Sequence, residues 1–559
     1  MAYIIPSVIL LILISEGVGA WTLKTLKIEA KGFTAPIGFA MLLCVLQALY
    51  YSSQLWNLSF TWIIVISCIV LAAGIVLACM MHKEVWEHLF SKDMIVVIVC
   101  ASLFLLALSR SAADYSNNPA LQFISGNINA VHLNMNMQMD TAGWLFQGYY
   151  HFASFICWAL MGLENAVTGM QSLSAESISV MGLGLIYSLI SSMLIINLVR
   201  YLRFRNHWLG FCILIFSLLF TNFYYWKVTY AFSGDTYRSL FLAMMLYVIY
   251  RWCREDNEQI KYLLLIVIAA GLSVSGSFLF LSLEVLYCLA AFMFKKQKSR
   301  SLFDMFSFLG PTVAYGCAVL SVKNGWLALI LAVLYGVFLF IRYQKYVRRI
   351  IWRLEDFFFE HAGLIFYILI PVTVTVGSLL VYFLVPDLSE VYGYARYFSN
   401  FKAGDSVKDY LFIYSDWLDN ILNVLRWAGV ILLFVFSKTD EDHFIKSLFL
   451  LMAILFLNPL CVVLLSSTMT GTLYYRAFEI VFNPFTEILI LYSIYKVLEW
   501  QPLLQWVLEL FLIAAAVIST ITAVGGYTDT LPAAMNRSEY SEVYAEQMLY
   551  NEDCTRGSI

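Results

Sequence analysis

The chain has 559 residues, of which 61% are hydrophobic and 13% charged, and its formal net charge at pH 7 is −3. A soluble protein of this length could not bury so much apolar side chain, so the composition predicts an all-α polytopic membrane protein that has the lipid bilayer as a partner. The charge is nearly balanced, and no basic tract indicates a nucleic-acid partner.

The first apolar segment, residues 3–21, is predicted to be a transmembrane helix and not a cleaved signal peptide. No basic residue precedes it, and Lys24, Lys27 and Lys31 follow it. Further apolar runs of bilayer length predict about 14–16 transmembrane helices in all. The predicted spans are residues 3–21, 34–53, 58–81, 94–109, 178–199, 208–222, 237–252, 262–275, 279–294, 304–321, 326–342, 362–385, 420–437, 447–466, 479–497 and 503–525.

The pair of apolar runs within residues 262–294 is short for two spans. The polar stretch SVSGS (273–277) interrupts it. Two interpretations stay open, namely one kinked helix or a re-entrant pair that breaks at these residues.

Lysine and arginine concentrate in alternate loops, which predicts that those loops face the cytoplasm. The basic loops hold residues 24–31, 83–92, 200–205, 251–261, 295–300, 342–353 and 438–446. The alternation holds only if residues 142–163 do not span the bilayer, so we expect them to form a helix that lies at the outer surface or dips in and returns. Both termini are then predicted to be extracytoplasmic, and the expected location is a bacterial plasma membrane.

Four parts are predicted along the chain. Residues 1–93 form an N-terminal addition of three helices, residues 94–500 the transmembrane core, and residues 501–525 the last transmembrane helix. Residues 526–559 are polar and acidic, and are predicted to be an extracytoplasmic tail. The core has outer loops at 110–177, 223–236, 386–419 and 466–478, so chemistry is expected at the outer face of the membrane.

The longest outer loop, residues 110–177, carries two aspartates as candidate catalytic residues. A carboxylate at the membrane surface can act as a general base or can ligate a divalent cation such as Mg²⁺ or Mn²⁺. Asp114 is the first candidate for either role, and its alternative role is a helix-end residue paired with Arg110. Asp140 is the second, and its alternative role is the N-cap of the helix that follows.

Two other features of the outer loops are interpreted as structural. His132 and His151 are expected to be surface or packing residues. The loop 386–419 mixes aromatic and charged residues, which favours an interfacial helix over a lid or a sugar-stacking surface.

Charged residues in two further outer loops are candidates for binding an anion. Asp235 and Arg238 follow a Ser-Gly turn at a helix start, with Lys227 before them, and the alternative role of Asp235 is an N-cap. Arg476 stands at the entry of an apolar helix, where a guanidinium is costly unless it is paired or binds an anion. Its planar fork suits a phosphate, and the alternative is an ion pair with Glu479.

One carboxylate, Glu284, lies inside an apolar run. Intramembrane carboxylates mark ion or proton paths, but few other predicted spans carry a central charge, which counts against a proton-coupled carrier. The chain also lacks the motifs GxGxxG, GxxxxGK(S/T), HExxH and GxSxG. No nucleotide site and no nucleophile elbow is therefore indicated.

The chain resembles the GT-C superfamily of membrane glycosyltransferases. The helix predicted at 94–109, the sequence SRSAADYSNN that follows it and the surface helix predicted at 142–163 occur in the order typical of that superfamily. There the first long outer loop carries a catalytic acidic residue near its start, and Asp114 stands at the matching position. Similarity to related large bacterial polytopic proteins lies in TAGWLFQGYYHFASFICWALMGLENAV (141–167), YAFSGDTYRSLFLAMMLYVIY (230–250), LSVSGSFLFLSLEVLY (272–287) and GTLYYRAFEIVFNPF (471–485).

The resemblance covers residues 94–500 and implies a GT-C-like fold. The implied reaction transfers a sugar from a polyprenyl-phosphate carrier to an extracytoplasmic acceptor of the cell envelope. Asp114 would be the general base or a metal ligand, assisted by Asp235 or Asp140.

The resemblance also implies a phosphate site. Arg476, with Lys227 or Arg238, would hold the carrier phosphate and stabilise the charge of the leaving group. The superfamily's acidic pair reads DD, DxD or ED, whereas this chain has a lone aspartate in AADY. Two other functions stay open: a transporter or flippase of a lipid-linked glycan, and a non-catalytic scaffold for envelope assembly, which the lone aspartate favours.

Overall fold

The computed structural model describes residues 3–29, 33–110, 119–137, 147–168, 175–229, 234–255, 257–295, 301–384, 427–432, 434–435, 440–456, 458, 461–465 and 478–525. Over these residues the chain is 89% helical and has no β-strand, which confirms the all-α prediction.

The bounds of the helices follow the chain from end to end. The α-helices are α1 (Ile4–Thr25), α2 (Thr34–Leu55), α3 (Thr61–Met80), α4 (His82–Leu89), α5 (Lys92–Arg110), α6 (Pro119–His132), α7 (Gly148–Thr168), α8 (Ala175–Leu202), α9 (His207–Thr229), α10 (Gly234–Arg254), α11 (Tyr262–Val274), α12 (Phe278–Lys295), α13 (Ser301–Phe308), α14 (Gly310–Lys323), α15 (Gly325–Ile341), α16 (Lys345–Leu364), α17 (Ile370–Leu384), α18 (Asp440–Leu451), α19 (Val462–Leu465), α20 (Phe478–Val481), α21 (Pro484–Leu498) and α22 (Pro502–Gly525). A 3₁₀ turn (Glu258–Lys261) precedes α11, and π-helical turns follow α16 (Ile365–Leu369) and α18 (Met452–Phe456).

Several helices have the length and hydropathy that a bilayer requires. Within the described residues there are five: Ile4–Thr25, Thr34–Leu55, Thr61–Met80, Val180–Leu202 and Lys345–Val381. A sixth results if α4 and α5, which meet at a bend of 64°, count as one span. The chain is therefore a helical membrane protein, while the total of about 14–16 spans and the orientation of the termini remain predictions.

The chain divides into two compact units. The first comprises residues 1–240, 269–276 and 503–559, and the second comprises residues 241–268 and 277–502. Within the first unit, α1 and α2 pack against α8, and α2 and α3 pack against α7. The three N-terminal helices therefore share their core with helices from the predicted transmembrane core.

The first two helices cross at a point where only small residues fit. A Cβ atom on Gly38 would lie 1.7 Å from the Ser15 carbonyl oxygen, and one on Gly19 would lie 1.8 Å from the Thr34 carbonyl oxygen. Small residues let the backbones of membrane helices approach closely, and the resulting van der Waals contact replaces the hydrophobic effect that lipid does not supply. The pair α1–α2 is therefore held by backbone-to-backbone packing.

Replacing Gly38 by alanine is expected to lower the unfolding temperature of the protein in detergent. The new methyl group meets backbone, which cannot rotate away, so the helices must separate, at a cost of about 1–3 kcal/mol or more. The matched control is Gly162→Ala in α7, where a Cβ atom meets nothing within 4 Å. Equal unfolding temperatures for the two variants would contradict the close crossing.

The turn between α2 and α3 is tied to the segment that follows α6. Asn57 has a φ of 50°, a left-handed conformation that asparagine tolerates at the end of a helix. The Phe60 amide donates to the Met135 carbonyl (2.7 Å), and the Met137 amide donates to the Leu58 carbonyl (2.8 Å). The start of the long predicted outer loop therefore packs on the end of the N-terminal helices.

Local sequence signals set helix starts in the second unit. Asn483 caps α21, because its side chain accepts from the amides of Phe485 (3.0 Å) and Thr486 (3.2 Å). Asn324 caps α15 by accepting from the Leu327 amide (3.1 Å). Further in, the ring of Phe485 contacts Tyr250 of α10 at a centroid distance of 5.7 Å, so the capped start of α21 lies against α10.

Candidate functional site

The sequence-predicted site residues differ in how far the structure describes them. Asp114, Asp140 and Arg476 lie outside the described residues, as do the loop 386–419 and the tail 526–559. Lys227 and Asp235 lie in α9 and α10, but their side chains are not among those described. Arg238 is the predicted anion-binding residue whose environment is described.

Arg238 lies one turn into α10 and is buried, with 2% of its surface exposed. Its Nη1 atom donates to the Ser275 hydroxyl at 3.4 Å. Ser275 stands directly after the end of α11 at Val274. Backbone leaves helical geometry at membrane depth only where protein or a polar cavity satisfies it, so the break between α11 and α12 marks a polar environment.

The start of α10 makes a close backbone approach to this break. A Cβ atom on Gly234 would lie 2.4 Å from the Val274 carbonyl oxygen, so the position requires glycine. The Gly234 amide donates to the Tyr150 hydroxyl of α7 at 3.0 Å. The first residues of α10, the start of α7 and the end of α11 therefore meet at one place.

Gln147 completes this arrangement. With its amide oriented to match its neighbours, it donates to the Val274 carbonyl (3.1 Å) and accepts from the Gly276 amide (3.3 Å). We refer to Gln147, Tyr150, Gly234, Arg238 and Ser275 as the Arg238 cluster. It combines a buried guanidinium with the amino-terminal end of a helix, which carries a partial positive charge.

An aromatic wall packs beside the Arg238 cluster. Tyr237 donates from its hydroxyl to the Leu183 carbonyl of α8 at 3.0 Å. Its ring lies 4.7 Å from that of Tyr149 and 5.5 Å from that of Tyr187. These rings hold the first turn of α10 against α7 and α8, which fixes the backbone from which Arg238 extends.

A second polar group surrounds His151 of α7, which is fully buried. Its Nε2 atom lies 3.0 Å from Gln54 Nε2, and its Nδ1 atom lies 3.5 Å from Asn127 Nδ2. Asn127 also donates to the Ser154 hydroxyl (3.1 Å). The interpretation of His151 as a packing residue therefore fits, and its partners join α2, α6 and α7. His132 is exposed at the end of α6.

The structure corrects the expectation that Glu284 is nearly the sole carboxylate inside a span. Glu16 lies within α1 and is 5% exposed. Its Oε2 atom lies 3.3 Å from Nδ1 of His88 in α4, and that nitrogen is 3.0 Å from the Thr34 hydroxyl. Charge inside α1 escaped the sequence because its partner is 72 residues away in the chain.

Stability is expected to fall as pH rises through the titration of His88. Its hydrogen bond to the Glu16 carboxylate raises the pKa of the imidazole, and the charges of Glu87 and Asp93 raise it further. A raised pKa in the folded state means that the stabilisation is complete below the ordinary imidazole pKa and is lost above the folded-state value. We expect His88→Gln to remove about 1.5 kcal/mol at acidic pH and little at alkaline pH.

The measurement for His88 is the unfolding temperature in detergent across this pH range. The exposed His132 supplies the matched control, His132→Gln. A pH dependence that is the same in wild type and both variants would assign the effect to other groups.

A metal centre is not formed by the side chains that the structure describes: no group of three His, Cys, Asp or Glu residues there could hold an ion. Asp114, the predicted ligand of a divalent cation, is outside that part of the chain. Compared with known proteins, the chain matches no family model, no curated protein and no solved structure.

Proposed function

We propose that the chain is a membrane glycosyltransferase that moves a sugar from a polyprenyl-phosphate donor to an extracytoplasmic acceptor of the cell envelope. The observation that carries the proposal is the burial of Arg238 beside the break between α11 and α12. A guanidinium in an apolar protein interior requires an anionic or strongly polar partner, and its fork matches two phosphate oxygens.

The surroundings of Arg238 support a lipid phosphate as the ligand. The Gly234 amide marks the amino-terminal end of α10, and such ends favour phosphate groups. The helices that carry the Arg238 cluster are apolar, which suits a donor with a polyprenyl chain in the bilayer. A donor of this kind needs no nucleotide-binding motif, and the sequence contains none of the common ones.

The placement of α7 supports the predicted outer surface helix. Near its start His151 contacts Gln54 at the end of α2, and near its end Glu164 interacts electrostatically with Tyr3 at the start of α1. The distribution of basic residues assigns both of these helix ends to the outer side. A helix whose two ends both contact that side agrees with one that lies along the surface.

The proposed chemistry divides between the acceptor and the donor. Asp114 accepts the proton of the acceptor hydroxyl, whose oxygen forms a bond to the anomeric carbon of the sugar. The bond from that carbon to the phosphate oxygen breaks, and polyprenyl phosphate leaves with the electron pair. Arg238, with Lys227 and Arg476, stabilises the charge on the leaving phosphate, and Asp140 or Asp235 assists Asp114.

The proposal is tested in a deletion strain complemented with the wild-type gene. We expect the deletion to remove one sugar from an envelope polysaccharide or lipid, as measured by mass spectrometry of the released sugars. Membranes of the complemented strain should convert the lipid-linked sugar into free polyprenyl phosphate and a longer acceptor. An unchanged envelope composition in the deletion strain would rule the proposal out.

A flippase of a lipid-linked glycan is the second candidate. Interrupted helices line the substrate sites of many transporters, and α11 and α12 are interrupted at residues 275–277. The same membranes separate the two functions. A flippase leaves the lipid-linked sugar intact and changes only the side of the bilayer on which it lies.

A further inference from the structure

Glu284 of α12 is a buried carboxylate to which the proposed sugar transfer gives no role. It is 2% exposed, and its Oε2 atom has no hydrogen-bond partner among the described residues. An ionised carboxylate in this environment is costly unless it is paired. The neutral acid, which retains its proton, is therefore the form that the closed structure accommodates.

The next turn of α12 carries Tyr287 and Cys288, three and four residues after Glu284 and hence on the same face. The Tyr287 hydroxyl donates to the Phe366 carbonyl at 2.8 Å. The Cys288 thiol lies 3.7 Å from the sulfur of Met452. Phe366 and Met452 belong to the two π-helical turns, Ile365–Leu369 and Met452–Phe456.

Two separate spans thus place a π-helical turn against one turn of α12. A π turn displaces the regular backbone hydrogen bonds of a helix, and such turns occur frequently at functional sites. Here one displaced carbonyl, that of Phe366, accepts from Tyr287. A small apolar cavity between α10, α12 and α18 reaches Cys288, with Leu246 and Leu448 on its other walls. This side of α12 therefore has both irregular backbone and free space.

The ionisable groups around α12 come from four packed helices and the first π turn. On the described residues they are Tyr287 and Cys288 of α12, Tyr315 of α14, Glu355 of α16, Tyr367 of the π turn, and His443 and Lys446 of α18. Cys288 is the group among them that Glu284 affects electrostatically. Lys446 donates instead to the Phe434 carbonyl (3.0 Å), so no ion pair neutralises Glu284.

We propose that Glu284 is a proton-binding site inside the membrane-spanning part of the second unit. The ligand is a single proton, taken up by Glu284 and released when the helices around it admit water or a cation. Such a site supplies either a coupling ion for transport or a switch on the arrangement of α12 against the two π turns. It is independent of the proposed sugar transfer.

The first test uses N,N′-dicyclohexylcarbodiimide on the purified full-length protein in detergent. A protonated carboxyl group adds its O–H across one C=N bond of the carbodiimide, and rearrangement leaves a stable N-acylurea. Mass spectrometry should find this product on Glu284, with labelling falling about tenfold per pH unit once the acid is mostly ionised. Glu16 is the matched control, because it is also buried but is paired with His88, and we expect no product there.

A second measurement covers the case in which the reagent does not reach the site. Infrared difference spectra between acidic and alkaline pH should contain the C=O band of a protonated carboxyl group, and Glu284→Gln should remove that band. The glutamine variant has nearly the shape of the neutral acid and is expected to fold. A wild-type spectrum without a band that depends on Glu284, or labelling of Glu284 that does not change with pH, would overturn the proposal. Neither measurement involves a sugar donor, so failure here leaves the glycosyltransferase proposal untouched.

Discussion

Replacing Arg238 by glutamine is expected to remove the response of the protein to polyprenyl phosphate. In the wild type this lipid should raise the unfolding temperature in detergent, because a ligand bound by the folded state alone stabilises it. The buried guanidinium beside Ser275 offers a phosphate a charged fork of donors, which a neutral amide cannot replace. In the host, the variant should lower sugar transfer by about 10²–10³-fold, the loss typical of removing one preorganised donor to a developing negative charge.

Two further variants separate the charge of Arg238 from its packing. Arg238→Lys keeps the charge but loses the planar fork, so we expect a weaker response to the lipid. Ser275→Ala keeps the guanidinium and removes its hydroxyl partner, and the response should persist. Stabilisation of Arg238→Gln by polyprenyl phosphate as large as that of the wild type would show that the phosphate binds elsewhere.

The stability of each variant must be known before its activity is interpreted. Arg238 contacts the break at Ser275, so its loss also weakens the packing of α10 on α11. The unfolding temperature without lipid measures this contribution directly. If Arg238→Gln does not fold, Arg238→Lys still tests the role of the fork, through the ratio of its lipid response to that of Ser275→Ala.

The N-terminal spans were predictable from length and hydropathy. The apolar runs 3–21, 34–53 and 58–81 correspond to α1, α2 and α3, because the bilayer fixes how long an apolar helix must be. The connecting segments were harder to predict. Residues 342–353 count as a basic loop in the topology, yet most of them lie in α16, which continues through a π turn into α17.

The SVSGS interruption was recognised as a helix break, and the structure places that break between α11 and α12. Its neighbours could not be predicted from the sequence. Tyr150 and Gly234 are 84 residues apart, and Gln54 and His151 are 97 residues apart. Glutamine and tyrosine occur throughout an aromatic-rich chain, so no local pattern distinguishes the members of a polar cluster that forms only in the folded protein. Arg238 was an exception because a guanidinium next to an apolar run is costly enough to notice.

Replacing Asp114 by asparagine is expected to abolish the transferred sugar while leaving the amount of folded protein unchanged. The prediction rests on the position of Asp114 at the head of the first long outer loop, as in the GT-C superfamily that the chain resembles. Asparagine has the same shape but cannot accept a proton at neutral pH, and the loss of a general base typically costs about 10²–10⁴-fold in rate. Sugar composition and protein level are measured in the same complemented strain.

The matched variants for this experiment are Asp140→Asn and Arg110→Gln. If Asp114 merely pairs with Arg110 at the end of α5, then Asp114→Asn and Arg110→Gln should lower the protein level alike and leave the sugar in place. If Asp140 is an N-cap, its substitution should cost about 1 kcal/mol of stability with no selective loss of transfer. Loss of the sugar in Asp114→Asn alone, at normal protein level, would separate a general base from a helix-end residue. An unchanged sugar in all three variants would favour the flippase and scaffold functions instead.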